Sequence, residues 1–381
     1  MAKQNKGEAK VSVIMLTFNS VSKLGGFFDR VLAGLSNIQY ENVCIIFVDN
    51  NSCDDTVSHL NRWIKGKSFM HNARILQLDR NYGWAGGNNR GALICKDADY
   101  LVFLNDDVIV KPDTITKLVN CLESDSSIGA AQPLIINADG SINCGFDLGL
   151  GGFACPKMLR RFQRVSNTID IFYAMGSALI TRADLFFKLG MFDEDYFYWY
   201  DDVDYCWRVR LAGYRVVCLP DAEVYHYGSA TLGRSNPVLN YYWVRNNLYF
   251  CSKNYILKYL ILTTPIRLGE ILVGGLGHNL LLKDILGIKF LIKGLIDGVK
   301  GSPLFLSKRV WFKRLEDTNK VNIIKLLNPH VDATMLLGWL LRVKRLDQLE
   351  SRIRTPINVE LIFLKKLRKA LSLRGGISWK R

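Results

Sequence analysis

Apolar runs at Val11 to Thr17, Val43 to Val48, Ala73 to Leu78 and Tyr100 to Leu104 are rich in β-branched and aromatic residues. Between them apolar positions recur at helical spacing, as in Val21 to Leu35 and Thr56 to Ile64. The short runs have the length and composition of strands buried on both faces, and the longer periodic stretches suit helices with one apolar side. Alternation of the two predicts an α/β fold with a mainly parallel, doubly wound sheet and right-handed crossovers. Helix punctuation agrees: Asp54 or Asp55 can cap a helix at Thr56, and Pro112 suits a first helical turn.

The pattern loosens from about 128 to 182, where Gly145, Gly149, Gly151 and Gly152 cluster; loops over the sheet edge, shaping an acceptor pocket, are expected there. Regularity returns with a helix over Asp201 to Leu211 stopped by Gly213, then a strand over Tyr214 to Leu219 that ends at Pro220. After residue 250 the composition turns to Leu, Ile, Gly and Lys. The organisation expected is therefore a disordered tail (1–10), an α/β domain (11–250) and a basic, amphipathic, mostly helical C-terminal region (251–381).

Charge divides the chain along the same line. Residues 1–240 hold 24 Lys and Arg against 26 Asp and Glu, and residues 241–381 hold 26 against 9, so the net charge of +15 belongs to the last third. There Lys289, Lys293 and Lys300 recur opposite Ile288, Leu291, Ile292, Leu295 and Ile296, and Ser307 to Arg314 sets aromatics among cations. Such a segment suits the headgroup region of an anionic membrane, which makes peripheral membrane contact the expectation. The other reading is a helical layer packed on the α/β domain. The uncharged stretch Ile271 to Leu282 is shorter than the ~20 apolar residues that span a bilayer. Nine cysteines show no C-x-x-C spacing, and the polar start at Met1 to Lys10 lacks the apolar core of a secretory signal. A reducing cytoplasm is therefore the expected compartment, at the inner face of the cell membrane.

Two acidic pairs carry the chemistry. Asp106-Asp107 closes the apolar run Tyr100 to Asn105, at the strand edge where open α/β sheets bind ligands. Adjacent carboxylates repel unless a cation or proton compensates them, which points to a hard divalent metal with oxygen ligands. Asp201-Asp202 follows the aromatic segment Tyr196 to Tyr200 at a helix start. Capping accounts for one carboxylate there, less readily for Asp201, Asp202 and Asp204 together. Asp49, after the second strand, is placed to bond a nucleotide base or ribose, and Thr17 and Asn19, after the first, to line a nucleotide pocket; ordinary turn chemistry is the competing explanation.

Six segments in order resemble the family 2 inverting glycosyltransferases of the A-type fold, in particular their rhamnosyltransferase-like branch. They are Val13 to Asn19, Val48 to Ser52, Arg80 to Asn89, Phe103 to Val108, Gly190 to Glu194 and Tyr200 to Arg208, with His226 beyond the next strand. The resemblance covers roughly 11–250. It implies transfer of a sugar from a nucleotide-diphosphate donor to a lipid-linked or glycan acceptor. It also implies Asp107 and His226 as ligands of Mn²⁺ or Mg²⁺, Asp202 as catalytic base and Asp201 as its companion. The donor nucleotide is assigned to Thr17, Asn19, Asp49, Asn51, Arg80, Asn81, Gly83, Gly86, Gly87, Asn105 and Asp106, and Gly176-Ser177-Ala178 to the sugar and acceptor region. Asn105 stands where the family's metal motif often has Asp, and Asp201-Asp202 where it usually has Glu-Asp.

Two other functions compete. A nucleotidyltransferase that makes the activated sugar needs a glycine-rich basic grip near the first strand, and Thr17 to Lys23 offers one Lys. A non-catalytic binder of nucleic acid or anionic membrane would use the basic last third, but its interleaved Leu and Ile suit lipid better than a duplex, so no nucleic acid is expected.

Overall fold

A computed structural model describes residues 8–66, 72–158, 167–228, 236–319 and 323–332. Residues 1–7 of the tail expected over 1–10 and residues 333–381 of the C-terminal region lie outside these residues, as do the side chains of 310–324.

The chain begins β1 (Val11–Thr17), α1 (Ser20–Leu24), α2 (Gly26–Ser36), β2 (Val43–Asp49), α3 (Thr56–Lys65), β3 (Ala73–Gln77), α4 (Gly83–Leu93) and β4 (Tyr100–Asn105). Strands β1 to β4 pair in parallel, in the order β3-β2-β1-β4. Alternate residues of each strand face opposite sides, so Ile14 and Phe103 enter one core while Val13, Met15 and Val102 enter the other. The periodic stretch Val21 to Leu35 forms two helices rather than one. Gly25 takes a positive φ of 51° and breaks it between α1 and α2.

Beyond β4 come β5 (Val108–Val110), α5 (Thr114–Ser124), β6 (Ile128–Asn137), β7 (Ile142–Leu148), β8 (Ala154–Met158), β9 (Ile169–Asp170), β10 (Ala178–Arg182), α6 (Ala183–Lys188), α7 (Asp201–Leu211) and β11 (Arg215–His226). Here the sheet becomes mixed. Strand β10 lies antiparallel between β4 and β6, β11 runs parallel to β6, and β5 closes the edge antiparallel to β11. Only Asp106 and Asp107 separate β4 from β5, yet the two strands stand far apart in the sheet order. The sheet must curl to bring its β5 edge back to the end of β4, and the acidic pair sits at that junction.

The expectation of loops over 128–182 is corrected: the described residues of the segment carry five strands, and β6 is among the most buried of those described. Small residues hid the pattern. A Cβ on Gly129 would come within 2.7 Å of Tyr214, and one on Gly145, whose φ is +106°, within 2.5 Å of Ile171, so both positions need glycine to pack inside the sheet. Strand β11 likewise does not stop at Pro220. It runs on to His226 through a register shift between Leu219 and Glu223, where the ladder has no bond for proline to lose.

The C-terminal region is helical: α8 (Val238–Asn254), α9 (Leu257–Leu262), α10 (Thr264–Glu270), a π-helical turn (Ile271–Gly277), α11 (His278–Leu281) and α12 (Ile285–Asn319). Glycines let α12 lie close along α8; a Cβ on Gly294 would stand 2.5 Å from the Tyr241 carbonyl oxygen, and one on Gly298 2.6 Å from Leu248. Helix α8 crosses the change of composition at residue 250 and is tied to the α/β domain by charge. Lys253, 3 % exposed, reaches Asp193 at 2.7 Å and Asp204 at 2.9 Å. Among the described residues no helix is long and apolar enough to cross a membrane.

Candidate active site

The curl of the sheet creates a cleft of about 460 Å³ at the C-terminal edge of β1 and β4. Both acidic pairs line it, together with Thr17, Asn81, Gly83, Asn105 and His226. Two carboxylate pairs nearly a hundred residues apart in sequence are thus brought to one cavity by the strand order.

Asp106 and Asp107 are both buried. Asp106 Oδ2 accepts from Ser20 Oγ at 2.5 Å, at the first turn of α1. Burial, then the neighbouring Asp107, pushes the Asp106 carboxyl up to about 7, so Asp106 holds its proton to higher pH than Asp107 does. Asp107 is the more readily charged member. Burial alone would raise it, but the His226 imidazole and the Gly228 N–H, which donates to Oδ2 at 3.2 Å, more than offset this and hold it below the usual carboxylate value.

Asp107 Oδ1 is buried with no donor in bonding geometry, and His226 Nε2 stands 3.4 Å from it. The other imidazole nitrogen, Nδ1, faces Asn137 Oδ1 at 3.4 Å. The protonated ring faces this oxygen through Nε2–H; the neutral ring, donating from Nδ1 to Asn137, turns an Nε2 lone pair toward the same corner. In its neutral form the corner offers two acceptors to a cation, and a carboxylate with an imidazole oriented by a second partner is a donor set that Mn²⁺ or Mg²⁺ accepts. Among the described residues no three His, Cys, Asp or Glu side chains converge to hold an ion alone, so a metal here needs oxygens from a bound ligand.

The second pair opens α7. Asp201 is 3 % exposed; its Oδ1 accepts from the Asp202 N–H at 3.1 Å, and its Oδ2 has no donor. Burial, then the charge of Asp202, drives the Asp201 carboxyl well above its ordinary value. Asp202 is better solvated by backbone. Oδ2 accepts from the Gly176 N–H at 2.9 Å and Oδ1 from the Val203 N–H at 2.8 Å, so burial raises it only to about 6. Asp201 therefore carries the proton near neutral pH and Asp202 the charge, which is the state a general base requires.

The segment leading into α7 is bent against its preferences. Phe197, Trp199 and Tyr200 have φ of 66°, 67° and 70°, each costing on the order of 1–3 kcal/mol in a bulky residue. Phe197, Tyr198 and Trp199 turn into the cleft as a result. Hydrogen bonds hold the bend: the Trp84 N–H donates to the Phe197 carbonyl at 2.8 Å, and the buried amide of Asn246 donates to the carbonyls of Tyr196, Tyr198 and Trp199 at 3.1, 2.7 and 2.9 Å.

The remaining sequence-predicted residues stand outside the cavity lining. Asp49 is fully buried and turned onto its own loop, accepting from Ser52 N at 3.0 Å and Ser52 Oγ at 2.5 Å. Asn19, at φ 53°, accepts from the Cys53 N–H at 2.8 Å. Asn51 is exposed, and Arg80 lies over the Tyr82 ring at 4.6 Å. Gly86 and Gly87 serve packing: a Cβ on Gly87 would meet Leu16 of β1 at 2.3 Å, and one on Gly86 would meet Tyr82 at 2.9 Å.

Sequence reasoning missed Asn50, Trp84 and Asn246. Asn50 Nδ2 donates to Asn81 Oδ1 at 3.0 Å and to the Gly83 carbonyl at 3.1 Å, and Trp84 Nε1 donates to Asn105 Oδ1 at 2.8 Å. The first two lie within quoted segments, but nothing in spacing marks a tryptophan as a donor to Asn105. Asn246 had no local signal at all.

Residues 12–184 match the model of glycosyl transferase family 2. Over 235 residues the chain is 29 % identical to the N-acetylglucosaminyl-diphospho-decaprenol L-rhamnosyltransferase of Mycobacterium tuberculosis, covering 55 % of this chain and 75 % of that protein. It is 26 % identical over 166 residues to the rhamnosyltransferase WbbL of Escherichia coli, covering 38 % of this chain and 61 % of that one. Among solved structures, S. aureus TarS 1-349 in complex with UDP-GlcNAc superposes with a TM-score of 0.54 at 15 % identity, over 89 % of this chain and 92 % of that one, and so shares the fold. The strand order, the cleft and these likenesses agree: residues 12–184 form a glycosyl transferase family 2 domain of the A-type fold, similar in sequence to rhamnosyltransferases of that family.

Proposed function

We propose that the protein transfers a sugar, a rhamnosyl group by analogy with its relatives, from a nucleotide-diphosphate donor to a lipid-linked or glycan acceptor, with inversion at the transferred carbon. One observation carries the reading: a charged, metal-fitting corner (Asp107, His226) and a charged, base-fitting carboxylate (Asp202) line one cleft of sugar-diphosphate size. The nucleotide lies over Thr17, Asn81, Gly83 and Asn105, with Asp49, Asn19 and Asn51 shaping the loop beside it. Asp107 and His226 would hold Mn²⁺ or Mg²⁺, which would supply the neutralisation of charge that a leaving diphosphate needs. Asp106, whose carboxyl burial and Asp107 push up, accepts from Ser20 beside that corner. Asp202 takes the proton of the acceptor hydroxyl as it attacks the donor carbon, while protonated Asp201 keeps the local charge single.

The lipid-linked acceptor agrees with the outer surface of the C-terminal helices. Leu257, Ile261, Leu272, Ile285 and Val299 are each more than half exposed, among Lys258, Lys283, Lys289 and Lys300. Exposed apolar side chains interspersed along the helices with exposed lysines suit peripheral contact with an anionic bilayer, here the cytoplasmic leaflet. The C-terminal region from 251 is in this reading a membrane-facing layer on the catalytic unit of 11–250.

Incubation with a panel of nucleotide sugars and Mn²⁺ or Mg²⁺ tests the chemistry. Slow release of nucleoside diphosphate without acceptor, lost in Asp107→Asn, is expected; release of pyrophosphate would instead mark a nucleotidyltransferase. Flotation with anionic liposomes tests the surface: binding should weaken with salt and with Ile285→Asp, and unchanged binding of that variant sinks the membrane contact.

A further inference from the structure

Asn246 lies outside both the matched family region and the cleft, yet it is fully buried at the back of the segment that delivers Asp201 and Asp202. Its one amide group meets three consecutive-turn carbonyls, those of Tyr196, Tyr198 and Trp199, all within 3.1 Å. Its Oδ1 accepts from Arg245 Nε at 2.8 Å, which fixes the amide so that the nitrogen, not the oxygen, faces the carbonyls. Arg245 Nη2 adds a second donor to the Tyr196 carbonyl at 2.6 Å. No other arrangement of an isosteric side chain provides this: a carboxylate would set oxygen against oxygen, and an aliphatic residue would leave buried carbonyls unsatisfied.

The segment so held is the one with three bulky residues at positive φ, the last of which, Tyr200, immediately precedes Asp201. Backbone in that state reverts toward extended φ when its restraints go, and reversion would swing the start of α7 and with it the Asp202 carboxylate. Taking Asp202 as the base proposed above, we infer that Asn246 is a positioning residue for it: an amide on α8 of the C-terminal helices holds the catalytic carboxylate of α7 at its working place. Helix α8, which joins the α/β domain to the helical layer, is in this respect part of the active site.

Asn246→Ala in the full-length protein, assayed for transfer with a nucleotide-sugar donor and an acceptor, is expected to lower kcat roughly 100-fold, the cost of a displacement of about 1 Å at a reacting group, with the donor KM moved less than about threefold. Slow acceptor-free donor hydrolysis should survive, because the Asp107 corner does not depend on this segment. In an Asp202→Asn background the same change should cost less than about threefold further, since a residue acting only through Asp202 has nothing left to position. Transfer within about threefold of the parent, or full multiplication of the two losses, overturns the inference. If the alanine variant does not fold, Asn246→Ser, which keeps one donor, is read by the same two criteria. Undiminished transfer by Asp202→Asn alone would instead overturn the base assignment, whatever Asn246 does.

Discussion

The Gly176 N–H donates to Asp202 Oδ2 at 2.9 Å, and through this bond the two acidic pairs are joined. The space where a Gly176 side chain would stand is filled by the Trp84 indole, 2.7 Å from an added Cβ, and the same indole donates to Asn105 at 2.8 Å, beside Asp106. A path of one glycine and one tryptophan thus connects the carboxylate proposed as base to the strand end that carries the proposed metal corner.

Gly176→Ala should therefore damage both ends at once. The new methyl displaces Trp84 or breaks the Gly176–Asp202 bond, with an expected loss of roughly 10- to 100-fold in kcat/KM. Circular dichroism and melting temperature should stay near the parent values. Activity within twofold of the parent would show that the indole moves aside freely.

Transfer should rise with pH through about 6, where burial places the Asp202 carboxyl. Below that value the base is protonated and cannot accept; above it the charge is present and the rate levels off. A kcat/KM profile between pH 4.5 and 8 checks this, and the acidic limb should be missing from the residual activity of Asp202→Asn.

Removing free divalent metal with a chelator should stop donor turnover, and Mn²⁺ or Mg²⁺ should restore it. His226→Ala is expected to raise the metal concentration giving half-maximal rate by at least roughly 10- to 100-fold, the cost of losing even an outer partner of a metal ligand. Full activity of metal-depleted protein would remove the Asp107 and His226 assignment.

Glu270 makes an opposite statement about stability. Buried, and facing Asp332, its carboxyl is pushed up to about 9, so the folded protein holds a proton that the unfolded chain releases near 4.5. Folding stability must then fall as pH rises from the unfolded value toward 9. Glu270→Gln should flatten that slope and raise the melting temperature at pH 8 by a few degrees, given ~2–4 °C per kcal/mol in a domain of ordinary size. A melting series from pH 5 to 9 on both proteins decides it.

Lys253 lies between Asp193 and Asp204, and Asp204 also receives Arg208 at 3.0 Å. Lys253→Met should destabilise the protein by about 3–5 kcal/mol, because it leaves buried carboxylates short of a partner. Denaturant unfolding measures the loss, and a change below about 1 kcal/mol would mean the cluster is already balanced without it.

The elements that could be read along the chain are those whose determinants are local. Strands β1, β2, β3 and β4 announce themselves as apolar runs because both of their faces are buried, and Gly213 marks the end of α7 because only a residue tolerant of its φ of 86° continues there. The acidic pairs are legible for the same reason, since adjacent carboxylates at the end of an apolar strand stand out in one dimension. Strands β6 and β7 did not stand out: glycines required by contacts with Tyr214 and Ile171, distant in sequence, thinned the pattern.

Sequence alone thus determined the chemistry available to this protein: which carboxylates exist, that a parallel sheet presents one pair at its edge, and that the last third is cationic. Tertiary structure alone decided which of them act together. Insertion of β10 between β4 and β6 curls the sheet, sets His226 beside Asp107 and places Asp202 in the same cleft. It also decided protonation within each pair, because whether a carboxyl keeps its proton depends on the donors and the burial that the folded chain arranges around it, and no spacing of residues along a chain encodes that.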